Sequence, residues 1–295
     1  MKTSLFFAAV LFTMSLKAQV TTISFEYYRQ VIFLKVKVNT ADNLLFLFDT
    51  GSNRSVIDNR TSDFLNLQEL EMLIIEGSAG IITAPLVKSE TVSVGNSTVE
   101  NIGFSKRDLS GSLTPPNQRL DGILGMDFFR HFVVTIDFIS KQMTLSQEVT
   151  DTMSKSIPLE LDNGIPRIKA TLNDNILTFL RYDSGASFVD TEDIYLNITT
   201  PIFANLAKAD STLKPVTHFS AIGVGGQIIL PVYRINSATL GSFEIKQPFV
   251  IVQPEKGYFA RPDAVGFFGN NLMEKFQKVT LDFINKRAYF FISEL

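Results

Sequence analysis

Cysteine is absent from this chain, and histidine occurs only twice, at His131 and His218. The first absence excludes disulfides, a lipid-modified N-terminal cysteine, a thiol nucleophile and any cysteine-based metal site. The second leaves a Ser-His-Asp hydrolase or a zinc site without support, and no Gly-x-Ser-x-Gly elbow is present. No metal and no cofactor is expected. An excess of basic charge is also lacking, with a net charge of −3, so nucleic acid is not an expected partner. Long apolar runs are missing as well. The longest lies near the N-terminus, Leu5 to Leu16, and about a dozen residues is too short to span a bilayer.

That run reads as an export signal. Lys2 supplies the positive start, and Leu16-Lys17-Ala18 ends in a small residue suited to cleavage before Gln19. Residues 1–18 are therefore expected to be removed, leaving no membrane span. An exported chain without cysteine suggests a bacterial protein of the periplasm or the cell exterior.

An Asp-hydroxyl-Gly turn occurs twice, at Asp49-Thr50-Gly51-Ser52 and at Asp183-Ser184-Gly185-Ala186. Each follows an apolar run, Leu44 to Phe48 and Ile176 to Leu180, and each precedes a short segment ending in aspartate, at Asp58 and Asp190. One such turn is ordinary, because Asp and Gly are common in turns. Two in similar halves imply two carboxylates facing each other across a pseudo-twofold axis. The repeat extends further: Gly80, Pro85 and Gly95 precede Gly226, Pro231 and Gly241 by 146 residues each. Ile123-Leu124-Gly125 matches Phe267-Phe268-Gly269 at 144, and Asp137 matches Asp282 at 145. The Asp turns are 134 apart, which requires an insertion of about a dozen residues, for which Pro201 to Pro215 is the candidate.

The chain is thus expected to fold as two lobes, 19–150 and 151–295, with the boundary in the polar stretch Gln147 to Ser156. Most of it reads as short strands between turn residues. Val31 to Val38 alternates apolar residues with Lys35 and Lys37, as a half-buried strand does. Helical pattern is brief, at Met126 to Phe132, Pro201 to Ala209 and Asn270 to Phe276. The expected class is all-β with a few short helices.

Each member of the Asp turn has a physical role. The aspartate ends a buried strand, so its carboxyl is partly desolvated. The glycine lets the backbone pass the opposite copy where a Cβ would clash. The hydroxyl of Thr50 or Ser184 can bond across to the other lobe. Two carboxyls about 3 Å apart share one proton, because both cannot ionise cheaply. Such a pair can deprotonate a water and protonate a carbonyl, the equipment of peptide hydrolysis.

These residues resemble an aspartic protease of the retropepsin-like or pepsin-like clan, over nearly the whole mature chain. The resemblance implies a two-lobed pseudo-twofold fold of acid-protease β-barrels. It implies catalytic Asp49 and Asp183, with Thr50, Gly51, Ser184 and Gly185 supporting the turns, and the two apolar-apolar-Gly segments threading close behind them. It places substrate-covering flaps at Gly77-Ser78-Ala79-Gly80 and at Ile222 to Gly226, with Gly77, Ser78, Gly80, Gly223, Gly225 and Gly226 as candidate substrate contacts. Neither flap carries the tyrosine of pepsin-like enzymes, so the retropepsin-like comparison is the closer one. Arg54 and Arg181 flank the turns and are expected to face solvent.

The expected function is an exported endopeptidase, working as a monomer on peptide or protein substrates with apolar side chains beside the cut. Two alternatives stay open: a catalytically silent peptide-binding protein with the same fold, and a processing protease dedicated to one partner.

Overall fold

A computed structural model describes residues 20–150, 155–188 and 192–291. The expected signal peptide, Asp190 and part of the expected lobe boundary lie outside the described residues.

The halves meet in a six-stranded sheet. Its strand order is Thr21–Ser24, Gln142–Ser146, Val133–Asp137, Lys278–Asp282, Arg287–Phe291, Lys155–Pro158. The two central strands run antiparallel with Thr135 opposite Thr280, and their hydroxyls are 2.8 Å apart. This pair lies on the pseudo-twofold axis that the 145-residue spacing implied. The chain passes from one half to the other between Ser146 and Lys155.

Each half then builds a ten-stranded sheet. In the first, Ala41–Phe48 pairs with Val31–Val38 and, in parallel, with Gly122–Leu124. In the second, Ile176–Tyr182 pairs with Ile165–Leu172 and, in parallel, with Gly266–Phe268. The strand at Val31–Val38 is where expected, but its first four residues are all buried. Ile32, Leu34, Val36 and Val38 enter the main core, while Val31 and Phe33 join a second apolar cluster on the opposite face. Alternation fails there because both faces are covered. Turns are set by Asn and Gly in the left-handed region; Gly95 and Gly241 occupy equivalent hairpins at φ 56° and 60°.

The helices are shorter than expected at Met126–Phe129 and Asn270–Met273, while Thr200–Ala209 begins one residue early. The six-residue helix Asn59–Phe64 was not legible in the sequence, because the residues it buries are Thr61 and Ser62. Asp58 caps it by accepting from the Arg60 amide.

The insertion in the second half is split, which corrects its assignment to Pro201–Pro215. Strand pairing makes Val56 equivalent to Asn197, since each sits opposite the second residue of its apolar-apolar-Gly strand. From Asp turn to that residue takes seven positions in the first half (49 to 56) and 14 in the second (183 to 197). A further seven lie between helix start and flap strand, 17 positions (200 to 217) against ten (59 to 69).

Candidate active site

The two Asp turns lie against each other and interlock. The Thr50 amide donates to Ser184 Oγ (2.9 Å), and the Ser184 amide donates to Thr50 Oγ1 (3.0 Å). Each hydroxyl then donates onward to the strand entering the opposite turn: Thr50 Oγ1 to the Tyr182 carbonyl (2.7 Å), Ser184 Oγ to the Phe48 carbonyl (2.9 Å). Both side chains are fully buried, so all four bonds are shielded from water. A Cβ on Gly51 would fall 2.4 Å from Asp183 Cγ, and one on Gly185 would fall 2.7 Å from Asp49 Cγ. No other residue type fits at either position.

The apolar-apolar-Gly strands pass directly behind. The Asp49 amide donates to Leu124 O (3.0 Å) and the Asp183 amide to Phe268 O (2.9 Å). A Cβ on Gly125 or Gly269 would meet the Ser52 or Ala186 carbonyl at 2.8 and 2.9 Å. Within each turn the glycine amide donates back to its own aspartate, Gly51 to Asp49 Oδ1 (2.8 Å) and Gly185 to Asp183 Oδ1 (3.1 Å).

The carboxyls are tightly enclosed yet keep some surface open to solvent. Burial raises the pKa of Asp49 above the ordinary carboxylate range, opposed by the Gly51 amide, by Asp183 and by the positive charge of Arg107. Burial and then the charge of Asp49 push Asp183 well above that range, opposed by the Gly185 amide and Arg181. Two buried acids in contact hold one proton between them, and these surroundings favour it on Asp183.

The predicted flap glycines also come together, although they belong to different lobes. One hairpin joins Glu69–Glu76 to Ile81–Lys88, the other Thr217–Gly223 to Gly226–Arg234. Their tips touch: the Ala79 amide donates to Val224 O (3.0 Å). A Cβ on Gly77 would strike Val224, one on Gly223 would strike Ser78 Oγ, and one on Gly225 would strike Gly80. Gly226 meets nothing and is needed for its φ of 120°. The two lobe sheets therefore touch at the Asp turns and again at the hairpin tips.

Residues 34–128 match the family model described as Aspartyl protease. The fold is that of a two-lobed, pepsin-like aspartic proteinase. Among solved structures, the aspartic proteinase from Irpex lacteus superposes with a TM-score of 0.55 at 13% identity, covering 94% of this chain and 98% of that one. No curated protein matches the sequence.

Several residues around the two Asp turns carried no sequence signal. Asn270 is buried, accepts from the Tyr182 hydroxyl (2.6 Å), and donates to Gln30 O (2.7 Å) and Ser184 O (3.1 Å). It fixes the second turn against the first lobe. Ser55 and Asp127 brace the first turn: Ser55 Oγ donates to Asp127 Oδ1 (2.6 Å) and accepts from the Gly125 amide (3.0 Å). Tyr258 supplies an aromatic residue where neither flap has one. Its amide donates to Gly77 O (3.0 Å), and its ring lies 4.0 Å from the Arg181 guanidinium.

Arg54 is exposed as expected. Arg181 is not. It is half-buried, paired with Asp162 and stacked on Tyr258, because its strand neighbour is Phe267 and that face is covered. Its charge lowers the Asp183 pKa, but less than burial raises it.

Proposed function

We propose that this chain is an aspartic endopeptidase that hydrolyses peptide bonds with the Asp49/Asp183 pair and an activated water. The reciprocal lock between the two turns carries this reading. It holds two desolvated carboxyls together at a cost that a binding cleft has no use for, and it preserves both aspartates, both glycines and both hydroxyls.

Asp49 acts as the base and Asp183 as the acid. The Asp49 carboxylate takes a proton from water as the oxygen attacks the peptide carbonyl carbon, and Asp183 gives its proton to the carbonyl oxygen. In the resulting diol, Asp49 returns its proton to the amide nitrogen. The C–N bond breaks, and Asp183 recovers a proton from a diol hydroxyl. The dyad ends as it began. Thr50, Gly51, Ser184 and Gly185 keep the carboxyls in register. The two hairpins cover an extended substrate, whose backbone can bond to theirs.

Export and monomeric action belong to the same proposal. Lys2, the apolar stretch Leu5 to Leu16 and the small Ala18 support removal of a leader, and so a periplasmic or extracellular site of action. Both turns lie in one chain, so no second copy is required. Among the described residues no helix is long and apolar enough to cross a membrane.

The test is cleavage of a proteome-derived peptide library by residues 19–295, with and without pepstatin. Pepstatin-sensitive cutting of many peptides supports the proposal, and cutting of a single partner protein alone would favour a dedicated processing enzyme. Peptide binding without cleavage at any pH from 3 to 8 would leave the silent binder.

A further inference from the structure

We propose that Arg107 binds a carboxylate of the peptide substrate, on the side of the cleft walled by the first lobe. This rests on the peptidase reading above and specifies the substrate class.

The placement follows from strand register. Gly103–Arg107 runs parallel to Val56–Asp58, with Ser105 opposite Val56 and Arg107 opposite Asp58. Phe104 points into the barrel core. Alternation then puts Arg107 on the other face, that of the second apolar cluster of Phe33, Leu47, Val56, Leu109 and Leu120. Leu47 lies two residues before Asp49, so this face leads to the catalytic carboxyls. Arg107 and Asp49 are close enough for each charge to act on the other.

The guanidinium is half-buried, its Nε is sealed from solvent without a hydrogen-bond partner, and no described carboxylate lies within 4.0 Å. Asp58, its neighbour in register, is engaged elsewhere, accepting from the Arg60 amide (3.2 Å) and the Leu109 amide (3.0 Å). Other half-buried cations here are paired: Lys106 with Asp63 and Glu69, Arg181 with Asp162. A desolvated cation without an anion is costly, and a guanidinium is built to take a carboxylate by two parallel bonds. The pseudo-twofold mate of Arg107 is Gln253, opposite Thr199, which spends its amide on Asn197 (2.6 Å). That wall is aromatic, with Phe188, Tyr195, Phe219 and Phe267. The cleft is thus asymmetric, with a cationic post on one wall and an apolar one on the other.

The experiment starts from cut sites mapped in the peptide library. Matched fluorogenic peptides then carry Glu, Gln or Lys at each position around the cut, each with a free or an amidated C-terminus. The wild-type protein should cleave the Glu peptide ~10- to 100-fold better than the Gln peptide in kcat/KM at one position, as a charge-assisted bond gives. Arg107→Met should bring that ratio to about one, and Arg107→Glu should turn the preference toward Lys. A preference that survives amidation assigns a side chain; one that needs the free terminus assigns the terminal carboxylate. Cleavage with no acid preference at any position overturns the proposal while leaving the peptidase intact, and needs no variant to fold. A shifted pH profile in Arg107→Met with an unchanged Glu-to-Gln ratio also overturns it, leaving Arg107 to act only on Asp49. Should no peptide be cut, the peptidase reading falls. Anisotropy with fluorescein-labelled Glu and Gln library peptides on Asp183→Asn protein then decides, and equal affinities reject the carboxylate site.

Discussion

The two Asp turns share a backbone but not an environment. Each makes the same four kinds of contact: a hydroxyl to the opposite strand, an amide to the opposite hydroxyl, a glycine amide to its own aspartate, and a strand behind. Beyond that shell they diverge. Asp49 is under the influence of an unpaired Arg107, whereas the cation beside Asp183 is neutralised by Asp162 and covered by Tyr258. Met126 follows the glycine behind the first turn; Asn270 takes that place behind the second and bonds Tyr182, Ser184 and Gln30. Symmetry thus brings the carboxyls together, and its local failure raises the pKa of Asp183 further than that of Asp49.

The largest expected effect removes one carboxyl. Asp49→Asn and Asp183→Asn should each lower kcat by at least 10²–10⁴-fold, with far-UV circular dichroism unchanged. Comparable cleavage by either variant, with contamination excluded, would end the dyad assignment.

Next comes the lock. Thr50→Val and Ser184→Ala each leave buried partners unsatisfied and should cost about 1–3 kcal/mol. Because each hydroxyl accepts from the backbone amide of the other residue, both substitutions loosen the same turn-to-turn contact, and the double variant should lose less than the sum. Denaturant titration reads this directly. Strict additivity would mean that the turns are held independently.

A smaller effect separates the two acids by pH. The folded-state pKa of Asp183 is raised by burial. Below the unfolded value of roughly 3.9 both states hold the proton and nothing is lost. As the pH rises past that value the unfolded chain releases its proton first, so stability falls until the folded carboxyl ionises too. Asp183→Asn removes this penalty. Its melting temperature should exceed wild type at pH 7.5 by a few degrees, about 2–4 °C per kcal/mol relieved, and match it near pH 3. In catalysis the same shift carries the upper limb of a bell-shaped rate profile upward, and an optimum at roughly pH 4–6.5 is expected. Activity that climbs steadily to pH 9 contradicts the shared proton.

The smallest contrast is between the two flanking arginines. Arg54→Ala, at an exposed site, should change stability by less than about 0.5 kcal/mol. Arg181→Ala leaves Asp162 with only the more distant Arg167 and Tyr258 with only the more distant Arg261, and thermal melts should show the larger loss.

The sequence by itself determined the duplication and the two turns, because these depend on local spacing, and the family resemblance added the strands behind the turns and the hairpins. Gly51 and Gly185 could be assigned to a close approach because the same Asp-hydroxyl-Gly turn occurs in both halves. The 145-residue offset matched Thr135–Phe138 with Thr280–Phe283, and the structure places Thr135 opposite Thr280. Other features have no local signature. Asn270 reads as any polar residue in a short helix until Gln30, 240 positions earlier, comes within bonding distance. Arg181 reads as a solvent-facing strand residue until Tyr258 and Asp162 cover it. Arg107 reads as one more surface cation in Ser-Lys-Arg-Asp until pairing with Val56–Asp58 turns it toward Asp49. Periodicity records which face is apolar, whereas only the tertiary structure decides which distant group stands opposite, and in this protein those groups, together with burial, bias the proton affinity of Asp49 and Asp183.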